Sequence, residues 1–580
     1  MPKPTLPADT LRARLAHEPR AARFGTSGRR GEVVHLTQLE IYINALAELE
    51  YLQSLPLDEG GIRPGEEFFY AYDLRPSSSA YIGGAPMRGE LAQAVESAIR
   101  AARMIPVNLG RIPTPALTLH ALARGKGSIM VTGSHIPFDR NGYKTNTSRG
   151  ELLKKHEAPV DEQVRKVRER LYNQAYADSP FDENGLFKSG HANLAAESGA
   201  AAAAYARRYV DFLGADALAG TRLVVYQHSA VGRDILVEIL RGLGAEVFPA
   251  GRSETFVPID TENIDAAQLA TIQALYDTAA KQHGRIDAVV STDGDSDRPL
   301  ILGVDAAAAA VRFFGGDLVG MVTAEYLGAD AVVVPISCND AIDRGPLKDI
   351  LEPKTRIGSP FVIAGMETAR AHGKQAVCGW EANGGFLTGS DIVKNGKTLA
   401  ALPTRDAVLP IATVLVAARE RGLPLAELFA CLPERYSRAA LLKEFPRPVS
   451  LAILARFTPE NPAIRELLFA AGGTLALDEA RQGLALAEAE LAASACIRAE
   501  LAGYFTPEAG FGSITAINYV DGARVYFDNG DVAHLRPSGN ADELRIYAVA
   551  DSRERADAIA ALAVAEPDGI LRRLERLVGP

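Results

Sequence analysis

The sequence predicts an α/β protein of several domains that closes on an α+β segment. Three observations carry this. The chain has 580 residues, room for three or four domains at about 150 residues each. Short apolar runs alternate with helical patterns over most of the length, as parallel sheets wrapped by helices require. Near the C-terminus that alternation gives way to closely spaced strand patterns split by Asp521-Gly522 and Asn529-Gly530, dipeptides suited to hairpin turns.

The elements follow in order. Phe68 to Tyr72 reads as a strand, and Leu91 to Met104 as a helix with Ala92, Val95, Ile99 and Ala102 at helical spacing. Ser128 to Val131 is a short apolar strand. Arg222 to Tyr226 is a strand, and Arg233 to Leu243 a helix stopped by Gly244. Ala245 to Phe248 is the next strand. Asp265 to Gln282 is a helix ending near Gly284, Ile286 to Ser291 a strand, Asp317 to Leu327 a helix and Ala331 to Pro335 a strand. In the last part, Gly512 to Tyr519, Ala523 to Phe527, Asp531 to Arg536 and Leu544 to Val549 read as strands, and Ser552 to Leu577 as a helix. Tyr176 to His191, Gly303 to Phe314 and Leu432 to Pro448 read as linkers. The stretch Leu451 to Gly503 has no clear place in this scheme.

Composition excludes several classes. A net charge of −10 argues against non-specific nucleic-acid binding, so any anionic ligand must be met by local clusters of Arg and Lys. The four cysteines, Cys338, Cys378, Cys431 and Cys496, lack the spacing of a zinc site or a disulfide framework. No stretch approaches the ~20 apolar residues of a membrane span. The arginine-bearing N-terminus is interrupted by Asp9 and Glu18 and lacks a targeting segment's composition. A cytoplasmic location with reduced thiols is the expectation.

Chemistry concentrates in five loops. After the strand ending at Val131, the chain presents Ser134 beside His135, folds through Pro137 and Asn141-Gly142, and reaches Lys144. A serine so placed suits a nucleophile or phosphate carrier. After the strand ending at Ser291 comes Asp293-Gly-Asp295-Ser-Asp297-Arg298. Alternate residues of an extended loop project to one side, so three carboxylates can converge on a hard cation. All-oxygen ligation suits Mg²⁺ rather than zinc. An EF-hand would need Gly and Glu where Arg298 and Val304 stand. An acidic surface turn is the plainer alternative. Phe24 to Gly31 is a glycine-rich loop with Arg29 and Arg30, able to cradle a phosphate or to be a plain turn. Glu381 and Asn383, flanking Ala382 and followed by Gly384, suit hydrogen bonds to adjacent sugar hydroxyls. Arg536, Ser538, Gly539 and Asn540 form a potential anion nest, or a hairpin with a surface arginine.

With those residues in hand, the chain resembles the α-D-phosphohexomutases, the phosphomannomutase and phosphoglucomutase group. All four family signatures occur in order. The phosphoserine loop is matched by Thr132, Ser134, His135, Pro137, Asn141, Gly142 and Lys144. The metal loop is matched from Asp293 to Arg298, the sugar loop by Glu381, Asn383 and Gly384, and the phosphate loop by Arg536, Ser538, Gly539 and Asn540. The family's N-terminal motif matches Phe24 to Gly31. Ile136 departs from the usual asparagine, and Gly385 stands where some members carry a histidine, so a second acid/base residue does not carry over.

The resemblance implies three similar α/β domains with mixed sheets and a fourth α+β domain of TATA-binding-like topology around a central cleft. The expected divisions are 1–185, 186–304, 305–432 and 433–580. It implies an isomerase that interconverts hexose 1-phosphate and hexose 6-phosphate, mannose preferred, through a phosphoserine and a hexose 1,6-bisphosphate. The implied catalytic set is Ser134, Arg30, Lys144, His135 and Arg298, with Lys144 as acid/base or phosphate contact. Mg²⁺ would sit on Asp293, Asp295, Asp297 and the phosphorylated Ser134. Glu381, Asn383, Gly384, Arg536, Ser538, Gly539 and Asn540 would bind substrate. A glucose-specific or dual-specificity mutase is the near alternative. A Mg²⁺-dependent sugar phosphatase and a non-catalytic sugar-phosphate binder are the distant ones. No nucleic-acid or membrane partner is expected.

Overall fold

The computed structural model describes residues 9–25, 27–80, 90–262, 264–305, 308–537 and 542–579. The chain forms two compact units. The first comprises Met1–Gly328, Gln375–Cys378 and Asn383–Leu428; the second comprises Ala329–Lys374, Gly379–Ala382 and Phe429–Pro580.

The first unit opens with a mixed sheet. Its spatial order is Arg23–Phe24, Arg29–Glu32, Arg140–Thr147, Ser128–Val131, Glu67–Tyr72 and Ile105–Asn108, with Gly150–Glu151 added to Arg140–Thr147. Glu67–Tyr72 runs parallel to both neighbours, and its run from Phe68 to Tyr72 is buried throughout. A central strand covered on both faces has no polar side, so it reads as a continuous apolar run. Helices Gln38–Ser54, Leu91–Ala101 and Glu157–Tyr172 supply much of that cover, the last through Val160, Val164 and Val167. Ser128–Val131 meets Arg140–Thr147 antiparallel, so the chain turns back tightly after Val131.

A second sheet in this unit has the order Ala310–Phe313, Pro299–Asp305, Ala288–Thr292, Arg222–His228 and Glu246–Arg252. The last three strands are parallel, and the first two are antiparallel additions. The segment 303–314 is therefore no linker: Leu302 pairs with Phe313 and Val304 with Val311 across a hairpin. The apolar residues Leu300, Ile301, Leu302 and Val311 are buried, which draws the hairpin onto the core. Helix Ala266–His283 starts one residue later than expected, because Asp265 is its cap, with its carboxylate accepting from the Gln268 amide at 2.8 Å. Further along, helix Gly316–Leu327 packs on helix Val408–Arg421, and Phe386–Thr388 pairs antiparallel with Leu402–Asp406.

The second unit contains an antiparallel sheet of eight strands. Their order is Tyr436–Lys443, Glu543–Ala550, Val532–Pro537, Ala523–Phe527, Ile514–Asn518, Glu466–Ala470, Gly473–Leu477 and Gly483–Leu484. Asp521-Gly522 and Asn529-Gly530 do turn hairpins, with both glycines at positive φ. Three expectations need correction. Segment 432–448 holds the strand Tyr436–Lys443, which pairs along its whole length with Glu543–Ala550. The unplaced stretch 451–503 completes helix Arg447–Phe457, adds three strands and adds helix Glu488–Ala502. The terminal helix is two, Arg553–Val564 and Ile570–Val578, because Pro567 lacks the amide donor a continuous helix needs. Ile453, Phe457, Ile497, Leu501, Ile559 and Leu571 cover one apolar face of the sheet. Among the described residues no helix is long and apolar enough to cross a membrane.

Candidate active site

The first unit brings the serine loop and the aspartate loop together. Asp73 follows the central strand and is fully buried. One of its carboxylate oxygens accepts from the Thr132 hydroxyl at 2.8 Å and the Gly133 amide at 3.3 Å. The other accepts from the Arg75 amide at 3.0 Å and the Ser78 hydroxyl at 2.6 Å. The Thr132 hydroxyl in turn accepts from the Ser134 amide at 2.7 Å. Ser134 has φ 55°, a left-handed conformation that costs a non-glycine residue about 1–3 kcal/mol in such settings. Arg75 holds it there, donating to the carbonyls of Ser134 at 2.8 Å, Ile136 at 2.6 Å and Pro137 at 2.9 Å, with its guanidinium 3.8 Å over Phe256. Ile136, the departure from the family asparagine, thus has a backbone role through its carbonyl. Asn141 donates to Ser77 and Ser78, and a Cβ at Gly142 would lie 1.9 Å from the Arg29 carbonyl.

The aspartates converge, but through a turn and not an extended loop. The Asp293 amide donates to the Arg298 carbonyl at 3.1 Å, and Ser296 has φ 58°. One Asp293 oxygen accepts from the amides of Asp297 and Arg298 at 3.1 and 3.2 Å. The other accepts from the Ser134 hydroxyl at 2.9 Å. Gly294 permits this approach, since a Cβ there would meet the Ser134 carbonyl at 2.6 Å. Oxygens of Asp293, Asp295 and Asp297 lie within 4.8 Å of one another, all buried. Asp295 Oδ1 and Asp297 Oδ1 are buried without a hydrogen-bond partner. Buried polar atoms are rarely left so. Orphaned oxygens in a cluster of three buried carboxylates fit a metal ion, and the triad could hold one.

Cations surround these carboxylates. Lys144 lies 2.6 Å from both Asp295 Oδ2 and Asp297 Oδ2. The Thr114 hydroxyl donates to Asp295 at 2.7 Å, and Arg405 donates to Asp297 at 2.8 Å. The Arg298 Nε is 3.9 Å from Asp293 and 3.7 Å from Asp297. Burial, then Asp295 and Asp297, hold the Asp293 carboxyl well above its ordinary range. Burial pushes Asp295 up too, but Lys144 and the Thr114 hydroxyl outweigh it and bring that carboxyl down. Against the same burial, Arg405 and Lys144 bring Asp297 down. Burial and the nearby Arg298 charge hold His135 well below its usual range, so it is neutral; its Nδ1 is 3.5 Å from the Ser134 hydroxyl. Burial lowers Arg30 to about 10, opposed by the attraction of Asp295.

Arg29 and Arg30 diverge because neighbouring strand residues point to opposite faces. Arg29 is buried against Glu48 at 2.7 Å and reaches Asp161, a structural role. Arg30 faces the carboxylates. Asn383 and Gly384 also belong to the first unit. The Asn383 side-chain oxygen accepts from the Gly385 amide at 3.0 Å, which leaves its NH₂ and the oxygen's second lone pair for a ligand. Its carbonyl accepts from Thr261, and Gly384 has φ 84°. Glu381 and Arg536 belong to the second unit. Glu381 is buried, and Arg536 lies 3.2 Å from Asp521, which also accepts from the Ile357 amide. Ser538, Gly539 and Asn540 lie outside the described residues.

Sequence reasoning missed Asp73, Arg75, Thr114 and Arg405. The pair Asp73 and Arg75, straight after a strand, was a readable signal. Thr114 and Arg405 carried none, since only folding brings them to the aspartates.

Comparison with known proteins gives the family. Residues 21–171 match phosphoglucomutase/phosphomannomutase alpha/beta/alpha domain I, residues 315–436 match domain III, and residues 479–566 match the C-terminal domain. A phosphomannomutase of Sinorhizobium fredii is 36% identical over 544 residues, covering 94% of this chain and 98% of that protein. One of Salmonella muenchen is 34% identical over 540 residues, covering 92% and 93%. Among solved structures, a phosphoglucomutase/phosphomannomutase family protein of Burkholderia thailandensis superposes with TM-score 0.60 at 17% identity over 96% of this chain and 97% of that one. At that identity the likeness concerns fold alone. On these grounds the chain belongs to the phosphoglucomutase/phosphomannomutase family and is an isomerase of the hexose-phosphate mutase type.

Proposed function

We propose that the protein interconverts hexose 1-phosphate and hexose 6-phosphate by way of a phosphoserine at Ser134 and a hexose 1,6-bisphosphate, with mannose preferred over glucose. The observation that carries this reading is the Ser134 hydroxyl held 2.9 Å from Asp293 in a strained backbone, above a carboxylate triad with orphaned oxygens. Mg²⁺ on Asp293, Asp295 and Asp297 would supply charge neutralisation for the transferring phosphoryl group. The chain's own residues do the rest. Arg75 and Thr132 fix the serine, while Arg30 and Arg298 add positive charge where a loose phosphoryl transition state gathers negative charge. Lys144 is the candidate acid/base for the sugar hydroxyl, and His135, neutral beside Ser134, is a hydrogen-bonding neighbour. Glu381 and the Asn383 NH₂, with Gly384 allowing close approach, read sugar hydroxyls. Arg536, with Ser538, Gly539 and Asn540, holds the phosphate that is not reacting.

The relatives named phosphomannomutase support the choice of mannose. We infer four domains in the order 1–185, 186–304, 305–432 and 433–580, with the second boundary moved past Phe313, because strand Ala310–Phe313 belongs to the second sheet. The matches to domains I, III and IV support that order. A coupled assay with mannose and glucose 1-phosphates in competition tests the proposal. Mannose 6-phosphate should form faster. A glucose preference reverses the sugar assignment, and release of inorganic phosphate as the main product replaces the mutase by a phosphatase.

A further inference from the structure

Arg405 stands on strand Leu402–Asp406, more than a hundred residues beyond the aspartate turn, yet it ends on it. It is 2% exposed. Its Nε and Nη2 donate to Asp297 Oδ2 at 3.1 and 2.8 Å. Asp297 Oδ1, the other oxygen of that carboxylate, accepts no hydrogen bond, and with Arg298 Nε 3.7 Å away it is an oxygen left for an ion. The strand end is itself fixed: Asp406 accepts from the hydroxyls of Tyr205 and Tyr209 at 2.7 and 2.6 Å and from the Val408 amide at 2.9 Å.

The path of Arg405 depends on one small residue. A Cβ added at Gly385 would lie 2.5 Å from Arg405 Cδ, 2.7 Å from Cγ and 3.0 Å from Cβ. Gly385 does not have a positive φ. Its backbone conformation does not demand glycine; the stem of Arg405 does. Gly385 is the position where the sugar loop departs from members that carry a histidine. The space a side chain would take there is filled, in this chain, from position 405.

We propose that Gly385 and Arg405 act as a pair: the absence of a side chain at 385 admits Arg405, which orients the Asp297 carboxylate for the metal ion. Arg405 is thus a positioning residue, acting through Asp297. This rests on the reading of the triad as an ion site. Two effects of Arg405 on an ion oppose each other. Its charge repels a cation, whereas its two hydrogen bonds hold Asp297 in the ligating orientation. Removal of a group that orients a metal ligand typically costs on the order of 10–100-fold in metal affinity or activity. The sign of the change therefore separates the two.

The test is direct Mn²⁺ binding to the purified full chain, followed by electron paramagnetic resonance, with thermal melts as a check on folding. Wild-type protein that binds no Mn²⁺ overturns the ion-site reading itself, and this proposal with it. Given wild-type binding, Arg405→Met should weaken Mn²⁺ affinity at least tenfold, and Arg405→Lys should recover part of the loss. Gly385→Ala, which displaces the Arg405 stem, should weaken it by a similar factor. The double variant Gly385→Ala/Arg405→Met should be no worse than either single one, because both remove one interaction. Unchanged or tighter binding in Arg405→Met overturns the orienting role. Additive losses in the double variant overturn the pairing with Gly385.

Discussion

Asp293 accepts a hydrogen bond from the Ser134 hydroxyl at 2.9 Å, across 159 positions of chain. The contact joins the turn after one sheet to the turn after another. Both turns contain a non-glycine residue at positive φ, Ser134 and Ser296. Two strained turns pressed together do not persist unless their surroundings over-determine them. Here Arg75, Thr132 and Gly294 do so.

If Ser134 is the phosphate carrier, intact-mass analysis of the purified protein should show a fraction of chains heavier by one phosphate. Ser134→Ala should lose that mass and nearly all turnover. Full activity in the alanine variant would remove the serine from the mechanism.

The triad should respond to an ion in stability as well as in activity. A ligand that binds only the folded state at a hundred times its Kd stabilises by about 2.7 kcal/mol. Saturating Mg²⁺ should therefore raise the Tm of the wild-type protein. Asp295→Asn removes a carboxylate whose Oδ1 is free for the ion, so the same Mg²⁺ addition should raise its Tm much less. Equal shifts in both proteins would place the ion elsewhere.

Arg75 should matter to the fold and to the site together. Its guanidinium is buried against Asp73 at 3.2 Å and caps several loop carbonyls. Arg75→Met leaves the Asp73 charge buried and those carbonyls unmatched. Breaking a buried pair in this way costs about 3–5 kcal/mol. Urea unfolding should show a loss of that order, with turnover falling alongside it. A loss under about 1 kcal/mol, the range of exposed pairs, would mean that Arg75 is not a strut.

Acid should destabilise the protein through two buried histidines. Burial lowers His228 to about 4 and His534 to about 3. Their unfolded values are near 6.5. Above that value neither state binds the proton, and the folded state keeps its full stability. As pH falls from about 6.5 to about 4, the unfolded chain takes up both protons while the folded one does not. Each histidine then removes roughly 1.4 kcal/mol per pH unit. His228, which bonds the Thr292 carbonyl at 2.8 Å beneath the aspartate turn, can be tested by His228→Gln. The slope of stability against pH in that window should drop by about one proton. An unchanged slope would show that His228 is protonated in the folded state.

Much of the site was readable because its chemistry lies in short contiguous turns. Ser134 to Lys144 and Asp293 to Arg298 each carry their residues within a few positions, flanked by apolar strands, and local sequence dictates such turns. The hairpins at Gly522 and Gly530 were legible for the same reason. Where pairing is not local, the sequence was silent. Tyr436–Lys443 looked like a linker because its partner strand, Glu543–Ala550, lies about a hundred residues away. The hairpin ending at Phe313 was obscured by the alanine run of the sequence from Ala306 to Ala310.

By itself, the sequence determined which groups are available: a serine loop, three carboxylates at alternate positions, and two neighbouring arginines. Tertiary structure decided what each one does. Strand pleating sent Arg29 into the core and Arg30 to the carboxylates. The turn at Ser296, not extended chain, gathered the three aspartates. Sheet pairing delivered Arg405 to Asp297 through the space left open at Gly385. A side chain's type sets the bonds it can form, but its partner is chosen by the packing that puts distant segments within hydrogen-bonding distance.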